Sequence, residues 1–340
     1  MNVPVPIAAS HLTSVTSSIV KGQRYELQIQ FPGGYEQSNK KYPVVYLMDS
    51  QWIFPLLTSL SLDLYYDGFI PELIIVGVCW VEPNRESSRL RDFSPTHDER
   101  VPHSGGADNF ISFMKNELFP FIESNYRGDE RNRTLVGNSG SGLLTLYTLF
   151  SKPELFRNYI AASPIIGWDN GIIYQYEKKY FEQQHQEAAR LYMTIGGVER
   201  DVPEFEKLIN HLDNRDYRSL KIETKILKNT GHAGSKGEGF SRGLKFAFQR
   251  GNVTIEHSLL RLYAGVYQFS DKTYAELKVE GNNLVLYFNR HDKFELVAEN
   301  NTDFYSNAQF LKLHFIISMN AVSGLQLDKF HISQQATKIR

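Results

Sequence analysis

The stretch Thr134-Leu-Val-Gly-Asn-Ser-Gly-Ser-Gly-Leu-Leu-Thr-Leu146 constrains this chain more than any other. An apolar run ends in Gly137-Asn138-Ser139-Gly140-Ser141-Gly142, and helix-like spacing begins at once. That order suits a sharp strand-to-helix turn, because small residues on both sides of Ser139 let strand and helix pack closely through a strained backbone. Such a turn presents the Ser139 hydroxyl and aims the Gly140 amide at whatever oxygen lies beside it. A Gly-x-Ser-x-Gly elbow carries glycine at its fifth position. Here Ser141 stands there, and Gly142 directly after it supplies space. A phosphate loop would need Gly-Lys-Ser/Thr at the helix start, and no lysine is present. Ser139 is the candidate nucleophile.

The surroundings of this turn read as alternating strands and helices from residue 12 to 250. Residues 24–31 alternate, while Tyr42–Met48 and 72–79 are continuous apolar runs of the kind that parallel sheets bury on both faces. Residues 108–126 show one helical periodicity, 140–150 a second, and 203–212 a third that begins on a proline. Further strands are expected at 159–162, 191–195 and 222–227. This βαβα order predicts a mostly parallel sheet with its active site at the carboxyl ends of the strands. Past residue 250 short strands at 275–279, 283–288, 293–297 and 311–317 are separated by polar turns, which predicts an antiparallel sheet or small barrel. The expected organisation is therefore 1–250 and 251–340, joined through a helical link at 255–262.

Composition removes several function classes. The 340 residues carry a net charge of −1, which gives no electrostatic case for nucleic acid or an anionic membrane as partner. No run approaches the ~20 apolar residues of a membrane span. The single cysteine, Cys79, rules out an internal disulfide framework and reads as a core residue. No signal peptide is legible in the first ten residues. The expectation is cytoplasmic on the sequence as it stands, or periplasmic where a signal has been removed. Neither a cofactor nor a metal is expected.

A serine nucleophile needs a base and an acid to orient that base, and the α/β-hydrolase order is serine, acid, histidine. Leu191-Tyr-Met-Thr-Ile-Gly-Gly-Val-Glu-Arg-Asp201 supplies two carboxylates after a strand and a glycine turn. Glu199 lies where the turn leaves the strand. Asp201 is the alternative acid, although its place before Pro203 also suits a helix cap. Asn229-Thr-Gly-His-Ala-Gly-Ser235 follows the next strand and makes His232 the base. His97 and His103 precede the elbow, out of order. His257, His291, His314 and His331 fall in the β-rich tail. The second oxyanion donor besides Gly140 is expected from the loop Asp49-Ser50-Gln51-Trp52, as the Gln51 amide, with Ser50 the alternative.

At this point the chain resembles a known group. Pro32-Gly-Gly-Tyr35, Tyr42-Pro-Val-Val-Tyr-Leu-Met-Asp49, Arg89-Leu-Arg-Asp-Phe-Ser-Pro95, Gly137-Asn-Ser-Gly-Ser-Gly142, Pro153-Glu-Leu-Phe156, Ala161-Ala-Ser-Pro164 and Gly231-His232 are similar to the putative esterase family of α/β-hydrolases. That family includes enterobactin and salmochelin siderophore esterases, feruloyl esterases and mycolyltransferases. The resemblance covers roughly residues 12–249. It implies an α/β-hydrolase fold with Ser139 as nucleophile, His232 as base, Glu199 as acid, and an oxyanion hole from the Gln51 and Gly140 amides. Family elbows often read Gly-His-Ser-x-Gly-Gly, so Asn138 and Ser141 depart from the pattern, as does Ser50 in place of a glycine. The tail resembles the lipocalin-like β domains appended to several bacterial serine hydrolases, through Tyr263-Ala-Gly-Val-Tyr267.

The expected partner is a small-molecule ester. The strand-end rule places Trp52, Trp168, Arg89, Arg91 and the tyrosines near Gly171 at the mouth of the site. Arginine with aromatics suits an anionic, catechol-bearing ester of siderophore type. The competing reading of Arg91 is an internal ion pair with Asp92. Acyl transfer from the same serine to an alcohol, or a catalytically silent binding module, are the alternative functions.

Overall fold

The computed structural model describes residues 7, 9–80, 85–186, 188–288, 292–306, 310–319, 321–330 and 332–340. The chain divides into two compact units, Met1–Ser61 with Glu72–Ala247, and Leu62–Pro71 with Phe248–Arg340. The segment Leu62–Pro71 thus groups with the second unit, which the expected division into 1–250 and 251–340 does not contain.

The first unit is built on an eight-stranded sheet. Its strands are β1 (Ser10–Thr16), β2 (Arg24–Gln30), β3 (Tyr42–Met48), β4 (Ile74–Trp80), β5 (Gly128–Asn138), β6 (Asn158–Ala162), β7 (Ala189–Gly196) and β8 (Leu220–Leu227). They run in the order β1-β2-β4-β3-β5-β6-β7-β8. β1 and β2 pair antiparallel, as do β2 and β4, and every pairing from β4 through β8 is parallel. This is the α/β-hydrolase arrangement expected. The apolar runs become central strands because both faces are covered: all seven residues of β4 and all five of β6 are buried.

The helices are α1 (Ser50–Tyr66), α2 (Arg85–Phe93), α3 (Ala107–Phe113), α4 (Phe119–Asn125), α5 (Gly140–Ser151), α6 (Ile173–Gln183), α7 (Val202–Asp213), α8 (Ser235–Ala247) and α9 (His257–Tyr263). The single helix expected over 108–126 is instead α3 and α4 separated by a π-helical turn, Met114–Leu118. Pro120 explains the interruption. It has no N–H to donate to the preceding turn, and Phe119 N beside it bonds Met114 O, five residues back instead of four. The turn keeps Phe110, Phe113, Met114, Leu118 and Ile122 in one buried cluster.

The second unit holds strands β9 (Gly265–Phe269), β10 (Tyr274–Glu280), β11 (Asn283–Phe288), β12 (Asp292–Ala298), β13 (Asp303–Ser306), β14 (Leu311–Ser318), β15 (Ala321–Lys329) and β16 (Ile332–Lys338). Consecutive strands pair antiparallel and β16 returns to β9, closing a barrel. Closure leaves no sheet edge for unwanted pairing. Alternate residues point inward, and Tyr263, Tyr267, Leu277, Leu286, Phe304, Leu313 and Phe315 belong to its buried core. Tyr263 and Phe315 stack with ring centroids 4.2 Å apart. No described helix of either unit is long and apolar enough to cross a membrane.

Candidate active site

Backbone strain collects at one edge of the first unit's sheet. Asp49 follows β3 with φ 57°, Ser139 follows β5 with φ 60°, Ser163 follows β6 with φ 42° and Asn229 follows β8 with φ 55°. Side chains rarely adopt this left-handed region, and such outliers concentrate where a fold must aim a group. All four lie at the carboxyl ends of strands.

At the elbow Ser139 caps α5 with φ 60° and ψ −118°. Its amide donates to Ala162 O at 3.0 Å, and its carbonyl accepts from Leu143 N at 3.0 Å and Ile165 N at 3.3 Å. A Cβ on Gly137 would collide with the Ser141 carbonyl. One on Gly142 would lie 3.0 Å from Pro164 Cα, so Gly142 does provide the close approach. Ser139 is half-buried, and among the described residues its hydroxyl has no hydrogen-bond partner.

Glu199 and His232 follow neighbouring strands, β7 and β8. His232 Nδ1 lies 2.6 Å from Glu199 Oε2. The other carboxylate oxygen, Oε1, accepts from Gly196 N at 2.7 Å and from the Ser163 hydroxyl at 2.6 Å. The Glu199 side chain is 8% exposed, whereas the His232 ring is 50% exposed. Asp201 points elsewhere. It occupies the cap position of α7, is 58% exposed and pairs with the exposed Arg200 at 3.3 Å. The geometry therefore puts Glu199, not Asp201, against the imidazole.

Gln51 is the second residue of α1 and Gly140 the first of α5, so both amides belong to helix first turns that lack intrahelical acceptors. Neither donates to a protein acceptor among the described residues. The two loops are tied together by Asp49. Its Oδ1 accepts from Arg89 Nε at 2.6 Å, and its Oδ2 accepts from Arg89 Nη2 at 3.1 Å and from the Ser141 hydroxyl at 2.8 Å. The Ser141 oxygen also accepts from Asn138 N at 2.8 Å. Burial drives the Asp49 carboxyl above the ordinary aspartate range, against the pull of Arg89 and Ser141. Sequence reasoning missed this cluster because its members lie 40 and 92 residues apart.

The expected pocket residues separate. Trp52 is 57% exposed, beside the Gln51 amide in sequence. The Arg89 guanidinium lies 5.5 Å from the centre of its ring and is adjacent to Gly140. Arg91 is spent elsewhere, since its Nε and Nη2 donate to Asp92 at 2.6 and 3.0 Å, and Nη2 also to Gln23. Asp92 in turn accepts from Tyr25 and Trp80 in the core. Trp168 is half-buried and donates through Nε1 to Thr96 at 3.2 Å. Tyr174, after Gly171, packs edge-on against His211 instead of beside the elbow. Of the tail histidines, His314 pairs with Asp303 at 3.0 Å. His291 and His331 lie outside the described residues. Among the described residues no three His, Cys, Asp or Glu side chains gather as a metal-ligand set.

Comparison with known proteins gives the family and the fold. The sequence profile of the family described as Putative esterase matches residues 17–236. Ferri-bacillibactin esterase BesA of Bacillus subtilis is 28% identical over 228 residues, 61% of this chain and 78% of that protein. The crystal structure of the BES protein from Bacillus cereus aligns with a TM-score of 0.66 at 26% identity, over 73% of this chain and 97% of that one. That of an IroE-like serine hydrolase from Shewanella oneidensis aligns with a TM-score of 0.64 at 26% identity, over 71% and 80%.

Proposed function

Because this chain belongs to the putative esterase family and is a carboxylic ester hydrolase, we propose that it works through an acyl-enzyme on Ser139, with His232 as general base and Glu199 as the acid that orients it. One observation carries the reading: a serine at φ 60°, ψ −118° on a strand-to-helix turn, on the same sheet edge as an imidazole whose Nδ1 is 2.6 Å from a buried carboxylate. A carboxylate accepts and cannot donate, so it holds the proton on Nδ1 and leaves Nε2 free to take one. His232 Nε2 removes the Ser139 proton as Oγ attacks the ester carbonyl. The oxygen of the tetrahedral intermediate accepts from the Gln51 and Gly140 amides, worth ~3–4 kcal/mol per donor. The imidazolium then protonates the leaving alkoxide. Water enters by the reverse proton path to release the acid.

Substrate class follows from what lines this edge. An arginine beside Gly140, partly neutralised by Asp49, faces an exposed Trp52 ring. A cation and an aromatic face together favour an anionic aromatic ester, and the name of the Bacillus subtilis relative describes an esterase of a siderophore. We assign a siderophore-type or aryl ester on that basis.

The test is a fluorophosphonate probe with peptide mapping. The adduct is expected on Ser139, and Ser139→Ala should lower kcat by several orders of magnitude while the circular dichroism spectrum stays the same. An adduct on Ser141 or Ser50 with Ser139 unmodified would sink the assignment. Added alcohol should not divert the product from acid to ester if hydrolysis is the reaction.

A further inference from the structure

Glu199 leaves β7 through the turn Gly196-Gly197, whose backbone is tied down by Gly197 N to Leu227 O at 2.8 Å, Val198 N to Thr230 O at 3.2 Å and Glu199 N to Gly196 O at 3.0 Å, so what is left to set is the direction of the side chain. Its direction is set by what grips Oε1, the oxygen turned away from His232. One grip is the Gly196 amide and the other is the hydroxyl of Ser163. Ser163 is buried at 4% exposure, and its backbone is doubly disfavoured. It has φ 42°, rare for any residue but glycine, and it precedes Pro164, which pushes the preceding residue toward extended conformations. A glycine would sit there with less strain but would present no hydroxyl.

Ser163 is also backed by a second buried hydroxyl. Ser235 Oγ lies 2.8 Å from Ser163 Oγ and 2.9 Å from the His232 carbonyl oxygen. A carboxylate only accepts, so the one hydroxyl proton of Ser163 goes to Glu199. Its oxygen is then an acceptor for Ser235, whose proton is shared with the His232 carbonyl. The chain Ser235 to Ser163 to Glu199 is polarised in one direction, and each bond strengthens the next. The same turn holds the elbow, because Ala162 O accepts the Ser139 amide and Ile165 N donates to the Ser139 carbonyl.

We propose that Ser163, supported by Ser235, is a positioning residue of the hydrolytic site: its hydroxyl fixes the Glu199 carboxylate toward His232 while its flanking backbone fixes Ser139, so that one four-residue turn, 162–165, sets acid and nucleophile in a common frame. The proposal rests on the roles given above to Ser139, His232 and Glu199. The Ser163 hydroxyl acts through Glu199 and not on the reacting atoms.

The experiment is a mutant cycle on the full chain, with kcat and KM measured on a p-nitrophenyl ester and Tm by circular dichroism. Ser163→Ala should lower kcat about tenfold or more with KM within about twofold, the loss expected of a hydrogen bond to a charged group. Ser163→Gly, which relaxes the backbone, should lose the same rate with a smaller fall in Tm, so that rate and stability part company. In a Glu199→Ala background, adding Ser163→Ala should change kcat by less than about twofold, because the group it positions is gone. An equal loss in both backgrounds overturns the proposal, as does a rate that follows Tm across the variants or a Ser163→Gly enzyme with unchanged kcat. Should Ser163→Ala fail to fold, Ser163→Gly and Ser235→Ala carry the same comparison. A Glu199→Ala enzyme at full rate would instead mark failure of the acid assignment, which separates the two outcomes.

Discussion

Replacing Glu199 by glutamine tests the site at its most sensitive point. The new amide has one acceptor and one donor face, and the structure decides which goes where. Putting the NH2 at the Oε1 position would confront the fixed Gly196 N–H, 2.7 Å away, with a second donor. That leaves buried donors unpaired at ~1–3 kcal/mol each. Putting it at the Oε2 position confronts His232 Nδ1, but the imidazole escapes by moving its proton to Nε2, a change eased by the 50% exposure of its ring. The second arrangement wins, and it is the wrong tautomer for a base. The Nε2 that should receive the Ser139 proton already carries one. A loss of ~10³–10⁴ in kcat follows, about 4–5 kcal/mol of transition-state stabilisation.

Glu199→Ala imposes no tautomer, since water can reach Nδ1. Glutamine should therefore be at least as damaging as alanine, although it is the closer isostere. Steady-state hydrolysis of a small activated ester, the rate of phosphonate labelling at Ser139 and a thermal melt decide the matter together. Asp201→Asn, a change at an exposed side chain paired among the described residues only with Arg200, should leave kcat within about twofold. A Glu199→Gln enzyme within tenfold of the parent, or an alanine variant clearly slower than the glutamine variant, refutes the tautomer argument.

Three further outcomes follow from the packing. Ser141→Ala strips Asp49 Oδ2 and Asn138 N of a buried partner, so a urea melt should show a loss of ~1–3 kcal/mol, and kcat should fall as the two helix-start amides lose their common brace. Burial pushes the Cys79 thiol above its ordinary range and leaves it 4% exposed, so a disulfide reagent should label it only as fast as the chain unfolds; stoichiometric labelling of the native protein within seconds would contradict that placement. Glu117 is held below the usual carboxylate range: desolvation opposes this, but the Ser17 and Ser18 hydroxyls and the Ser18 amide outweigh it. A depressed folded value means stability that is present above ~4.3 and lost as pH falls through the folded value, so the stability gap between the parent and Glu117→Gln should be widest near neutrality and close as the pH falls through that lowered value.

What could be read from the sequence was whatever chain order alone determines. The elbow was legible because only small residues tolerate its packing, and β3 and β4 because fully buried strands are apolar without interruption. His232 was legible by its place after the last strand of the sheet. The choice between Glu199 and Asp201 stayed open, because both leave one turn two residues apart and order says nothing of direction. Side-chain pairing across the sheet was beyond reach. Arg89 was placed near the site, but its partner Asp49 lies 40 residues away and its neighbour Gly140 is 51 residues further on (140 − 89). Ser163 had a signal, the run Ala161-Ala-Ser-Pro164, with no indication that its hydroxyl met Glu199. The grouping of Leu62–Pro71 with the barrel had none, since the ring contacts of Tyr65 with Phe310 and Tyr66 with Phe330 join residues 245 and 264 positions apart (310 − 65, 330 − 66).

The departures of this elbow from the family pattern acquire a physical meaning when the strained residues are taken together. Asp49, Ser139 and Ser163 end β3, β5 and β6, which are consecutive in the sheet, and each is held by a bond from another member's neighbourhood. Asp49 is tied to the elbow through Ser141, the elbow to the β6 turn through Ala162 and Ile165, and that turn to Glu199 through Ser163. A glycine at position 141 would give the same close approach but could not make the first of these ties. Ser141 is thus more than a small residue tolerated where glycine is usual. Its hydroxyl links the loop bearing the Gln51 amide to the one bearing the Gly140 amide, and so helps hold both donors at one spacing. Strain at three adjacent strand ends costs roughly 1–3 kcal/mol at each. It persists because the buried sheet beneath is too well packed to let any one of them relax alone.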